Sequence, residues 1–259
     1  MAVNLYRRGP DHSHVMAQPD FHGIRQLFGF RSVVIGRWVT PAEGQRAALA
    51  FFNALMDLLH ILSADERYGL PASLISLRGS LALKYGTGGR PGVAAHYEPA
   101  TRTFALAKNA GGGSLAHEWF HALDHYLSGK LFAAGPNRFA SHLSYLGQTP
   151  VVRHPLALDW QQCMDQIFDR TAPLLSASLD YDQQRRLNYY RQPEEMAARA
   201  FEAFVEDAAI DNAYLVRGSR HSDEAKAGVY PTGEQRQRIN SAFAQYFSNL
   251  CQALIRSGE

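Results

Sequence analysis

The chain has 259 residues, 46% of them hydrophobic and 19% charged, an ordinary globular composition with enough material for a large core. A formal charge of +2 is too mild to point to nucleic acid or an anionic membrane. Its two cysteines, Cys163 and Cys251, form no Cys-x-x-Cys pair, which argues against a disulfide framework or a thiolate zinc site.

Residues 1–18 carry Arg7 and Arg8 with no apolar run after them, so they do not read as a secretory signal. No apolar stretch approaches the ~18 residues that a membrane span needs. A soluble, cytoplasmic protein is the expectation. His12 and His14, in Asp-His-Ser-His, have nothing around them that looks packed, so residues 1–20 predict a mobile tail rather than a small metal site. Residues 21–259 then form a single domain.

Residues 21–39 are aromatic and β-branched, broken by Gly23, Gly29 and Gly36, and predict short extended segments. Thr40-Pro41-Ala42-Glu43 combines an N-cap, a proline at the first helical position and a capping-box glutamate. The helix it opens runs to about Leu62, with apolar residues at Leu49, Phe52, Leu55, Met56 and Leu59. Short strands are expected at 73–77 and 81–85, followed by a glycine-rich turn at 86–92. Segments 92–97 and 102–106 flank Glu98-Pro99-Ala100-Thr101 as a hairpin. The hairpin leads into the most informative stretch of the chain. A sheet there would offer an edge to an extended substrate, with His96 and Tyr97 either facing that cleft or alternating as in any strand.

Within residues 107–127 lies His117-Glu118-Trp119-Phe120-His121. Ser114 is a good N-cap, the three glycines before it suit a tight turn, and Gly129 is a natural stop, so a helix is expected over 113–128. On that helix His117 and His121 are offset by ~40° and ~6 Å of rise, so both imidazoles can reach one tetrahedral zinc ion. Glu118 is turned ~100° from His117 and can approach a water held there without being a ligand itself. His125 lies ~12 Å of rise beyond His117, too far to share the ion. Asp124 reads either as an outer partner holding an imidazole or as a helix-surface charge.

Two histidines leave a catalytic zinc ion one protein ligand short. Residues 130–155 look like a loop, of the kind that forms a lid or pocket wall. Helices are expected at 156–176 and 179–187, and a strong one opens at Pro193-Glu194-Glu195. Glu195, Arg199 and Glu202 share a stripe on it, so Glu195 is either the candidate third ligand, with Glu202 in reserve or in a supporting bond, or one half of an i,i+4 surface salt bridge with Arg199. Residues 211–228 read as a loop, and an amphipathic helix from Thr232 to about Ile255 closes the chain. The fold class is α+β: a small mixed or antiparallel sheet in 21–110 packs on the active-site helix, before a mainly helical part at 156–256.

The run from Gly113 to Asp124, with Ala95-His96-Tyr97-Glu98-Pro99, Gly36-Arg37-Trp38-Val39 and Glu43-Gly44-Gln45, resembles the first type of large polyvalent protein-associated domain. Such domains occur in proteins of phages and conjugative elements and in the CLCA-X proteins, and the likeness spans about 28–205. The resemblance implies a zincin-type fold and metallopeptidase chemistry with no known substrate. Separately, Glu195-x-x-Ala198-x-x-Phe201 is similar to the third-ligand helix of glutamate-zincins, which implies zinc binding by Glu195. A tyrosine shortly before that glutamate in the family pattern falls near Tyr189 or Tyr190.

The function expected is therefore hydrolysis of peptide bonds. Zn2+ is held by His117, His121 and Glu195, Glu118 is the general base, and Tyr189 or Tyr190 meets the oxyanion. A catalytically inactive zincin-fold interaction module is the alternative, and a protein or peptide is the expected partner in either case.

Overall fold

The computed structural model describes residues 6–63, 69–87, 95–108, 112–133, 135 and 138–257. It is an α+β protein whose contacts separate two compact units, residues 1–122 with 208–217 and residues 123–207 with 218–259. No linker composition marks that division.

The first unit begins at β1 (Arg7–Arg8), which pairs antiparallel with residues 211–212. The expected tail is therefore packed. His12 is buried with its Nε2 2.8 Å from Asp57 Oδ1, and Arg7 and Asn212 also donate to that carboxylate at 2.7 Å. Burial alone would push the Asp57 carboxyl up, but His12, Arg7 and Asn212 together hold it below the ordinary value. His14 instead bonds the Asp11 carbonyl. The partners that fix the segment lie 45 or more residues away, beyond the reach of local pattern.

Residues 21–28 are helical, not extended: α1 (Phe21–Phe28) starts where Asp20 accepts from the Gly23 amide and stops at Gly29 in the left-handed region. Phe21, Ile24 and Phe28 fall on one helical face and are buried. Then comes β2 (Val33–Ile35), and α2 (Pro41–Leu62) follows with its expected capping box formed in both directions. Ala72–Leu74 is a single 3-10 turn where a strand was expected. Leu77, Arg78 and Gly79 all have positive φ, which no strand tolerates.

The sheet is completed by β3 (Ala82–Tyr85), β4 (Ala95–Glu98) and β5 (Thr103–Leu106), in the order β2-β3-β5-β4. β2, β3 and β5 run parallel and β4 is antiparallel, so β4 forms one edge. Part of the glycine-rich turn expected at 86–92 lies outside the described residues. Phe51 of α2 lies 6.1 Å from Phe104 of β5, ring to ring, and Phe21 stacks on Tyr85 at 5.3 Å, which seals the sheet against its helices. The short strand β6 (Asp211–Asn212) returns to β1. The division between the units falls within α3 (Leu115–Leu131).

The second unit is helical. The segment expected as a loop at 130–155 contains α4 (Ala140–Tyr145). The helix expected at 156–176 breaks into α5 (Pro155–Ile167) and α6 (Pro173–Arg185). The break is a turn in which Asp169 accepts from the amide and hydroxyl of Thr171, after which Pro173 takes the first helical position. α7 (Pro193–Glu206), the short α8 (Asp223–Lys226) and α9 (Gly233–Arg256) complete the unit. Phe201 and Phe204 of α7 pack against Phe243 and Phe247 of α9 with ring centroids 5.6–6.2 Å apart. At the end of α7, Arg236 and Arg220 both hold Asp207. No described helix is long and apolar enough to cross a membrane.

Candidate metal centre

The entry of α3 is built from backbone. Ser114 stands just before the first helical residue, and its carbonyl accepts the Glu118 amide at 3.1 Å. The amides of Gly113 and Ala116 are taken by the carbonyls of Tyr214 and Leu215 at 2.8 and 3.0 Å. Gly113 has φ +110°, and a Cβ there would meet the Arg217 side chain, while one at Gly112 would meet the Tyr214 backbone. These glycines thus admit a neighbouring segment as well as a turn. Leu115, Ala116, Trp119, Phe120 and Ala122 are buried, and the Trp119 indole donates to the Ile75 carbonyl at 3.0 Å.

From this apolar helix His117 and His121 turn their Nε2 atoms toward each other, 3.0 Å apart, with the rings nearly perpendicular at 80°. Both residues are buried, at 8% and 7% exposure. Two nitrogens on one tetrahedral zinc ion are separated by ~3.3 Å, given bond lengths of ~2.0–2.1 Å, so the pair has the spacing of shared ligands. His117, His121 and Glu195 each present one ligand atom within 4.8 Å of the others. Two imidazoles and a carboxylate are a donor set that suits zinc and leave a fourth position for water. Glu202, the reserve ligand, is not part of this set.

Glu118 is held by the sheet. Its Oε2 accepts the backbone amide of Tyr97 at 2.6 Å, on the free side of edge strand β4. That bond fixes one oxygen of the carboxylate on the residue that follows His117. Tyr97 is half-buried, and burial pushes its hydroxyl well above the ordinary value, so it stays protonated. His96 points to solvent.

Residues 188–192, ahead of α7, are fixed by one buried acid. Asp182, on α6, accepts the backbone amides of Tyr189, Tyr190 and Arg191 at 3.0, 3.1 and 3.0 Å. Tyr190 packs edge-on against Tyr181 at 4.6 Å, and burial together with Tyr181 pushes its hydroxyl up to about 12. Tyr189 remains exposed. On α7, Glu194 lies 3.3 Å from His142 Nδ1, and Glu202 is buried and accepts the Tyr230 hydroxyl at 3.0 Å. Asp124 is not a surface charge: it is fully buried and accepts the amide and hydroxyl of Ser141, capping the start of α4. His125 is buried against Phe139 at 5.8 Å. Asp182, Tyr230 and the Tyr97 amide are the contributors that spacing alone did not single out.

A comparison with known families finds one match in the C-terminal part of the chain. Residues 181–254 match the large polyvalent protein-associated domain 1. The domain 1 match takes in α7 and most of α9, with Tyr189, Tyr190, Glu195, Arg199 and Glu202. It overlaps the expected span of 28–205 only from 181 onward, and the histidine pair lies outside it. The description of the family names no reaction. No curated protein and no solved structure matches the chain.

Proposed function

We propose that the chain is a zinc-dependent metallopeptidase, with His117, His121 and Glu195 as ligands and Glu118 as general base. The observation that carries this is the set of three ligand atoms within 4.8 Å of one another. When bound there, zinc supplies the Lewis acidity that activates water and polarises a carbonyl.

The chain's own residues supply the rest. Glu118, oriented by the Tyr97 amide, takes a proton from the attacking water and returns it to the departing amine. Tyr189, the exposed member of the tyrosine pair, is the donor offered to the developing oxyanion. Tyr190 is less available, since its ring packs edge-on against Tyr181. The outer edge of β4, where Glu118 already holds the Tyr97 amide, is where an extended peptide substrate would lie and pair through the remaining backbone groups. A cytoplasmic setting agrees with a sequence that holds only two cysteines, both of them buried.

An inactive interaction module would need the two histidines but not a carboxylate held beside them. A peptide-library cleavage assay, with and without chelator, on the intact chain and on Glu118→Gln separates the two. Chelator-sensitive cleavage that Glu118→Gln abolishes supports the peptidase. Zinc retention with no cleavage of any library supports the module.

A further inference from the structure

Arg199 is a buried cation with work left undone. It sits in the middle of α7 at 2% exposure. Nε donates to the Val229 carbonyl at 2.7 Å, while Nη2 donates to the Tyr190 carbonyl and to Ser178 Oγ. The guanidinium also lies 5.0 Å from the Tyr190 ring centroid. These contacts tie α7 to α6, to the Tyr189–Tyr190 segment and to the stretch before α9, and they fix the plane of the group. Nη1 is buried and has no hydrogen-bond partner among the described residues. A buried charged donor without a partner is costly, which makes this nitrogen one whose role needs a physical account.

Two carboxylates on the same helix flank Arg199. Glu195 is one turn before it, and Glu202 is three residues after it. Glu202 already accepts the Tyr230 hydroxyl. Burial pushes the guanidinium down from its ordinary value, and Glu195 is the strongest of the groups that oppose this, ahead of Tyr230, Tyr189 and Glu202. A glutamate four residues before an arginine is the favourable order for an i,i+4 pair, with Cβ atoms ~5–6 Å apart. A carboxylate that gives one oxygen to a metal still has lone pairs on the other, and ligating carboxylates are normally held there by a hydrogen bond.

We propose that Arg199 is a positioning residue for the third ligand. Its uncommitted Nη1 donates, directly or through one water, to the Glu195 oxygen turned away from the metal, and holds that carboxylate in the ligating orientation. This rests on the metal centre proposed above. Nε and Nη2 do the structural work and Nη1 serves the ligand, so the two roles are separable by experiment.

The test is a zinc-affinity cycle by chelator competition on the full chain, Arg199→Met, Glu195→Ala and the double variant. Arg199→Met is expected to weaken zinc binding ~10–100-fold in the intact background. In the Glu195→Ala background it is expected to cost no more than about twofold. An equal loss in both backgrounds would make Arg199 merely structural and overturn the proposal, as would an unchanged affinity in the single variant. If the unaltered chain binds no zinc, it is the parent assignment that fails. Should Arg199→Met not fold, the unaltered chain and Glu195→Ala, labelled with 15N-arginine, give the answer. Zinc should shift the Arg199 Nη1 resonance in the first and not in the second, and no shift in either would refute the idea.

Discussion

At the scale of the residue, Glu118 is defined by what holds it. It sits next to a metal-ligand candidate on a buried helix, yet its Oε2 is engaged by an amide at a strand edge rather than by a cation. Among the described residues no ion pair to it is recorded. Glu118→Gln keeps the shape and the Tyr97 bond but removes the proton acceptor. It should retain zinc while kcat falls ~10²–10⁴-fold, whereas His117→Ala should lose both metal and activity. Tyr189→Phe should lower kcat by about 10²–10³-fold with KM little changed, the signature of a bond made in the transition state. Tyr190→Phe should leave kcat close to that of the unaltered chain, because its ring is packed edge-on against Tyr181 rather than exposed like that of Tyr189. Steady-state kinetics on a cleaved library peptide checks all four.

At the level of the element, α3 and α7 were legible because their signals are local. The i,i+4 histidines, the glycines ahead of Ser114 and the Pro193-Glu194-Glu195 opening each act within one turn of helix. α1 is hidden in the sequence because aromatic and β-branched content across 21–39 masks the 3.6-residue spacing of Phe21, Ile24 and Phe28 behind the Asp20 cap. The break between α5 and α6 was signalled by Asp169 and Pro173. Asp182 under the tyrosine segment, and His12 on Asp57, depend on partners that no window of sequence reveals. The glycines before α3 serve a purpose the sequence only half shows, because the segment that lies against them comes a hundred residues later. Gly113→Ala should therefore destabilise the protein by about 1–3 kcal/mol through its positive φ, read as a lower urea midpoint.

On the scale of the whole molecule, the second unit carries its own acid sensitivity. Burial alone would raise the Asp207 carboxyl, but Arg236, Arg220 and Asn240 bring it down to about 2. A depressed carboxyl stabilises the fold fully above the unfolded value of ~3.9, and that contribution is lost as pH falls towards 2. Asp207→Asn should lower stability at pH 7 and flatten the decline between pH 4 and pH 2, as followed by urea titration at each pH. Zinc should raise the melting temperature of the intact chain, because an ion that binds only the folded state stabilises it by about 2.7 kcal/mol at a hundredfold excess over Kd.

The central claim is that His117, His121 and Glu195 hold one zinc ion, and elemental analysis of the purified chain tests it most directly. The account predicts one equivalent of zinc retained after dialysis, reduced to a small fraction in His117→Ala and in Glu195→Ala. No retained zinc, or a full equivalent still bound by Glu195→Ala, would contradict it.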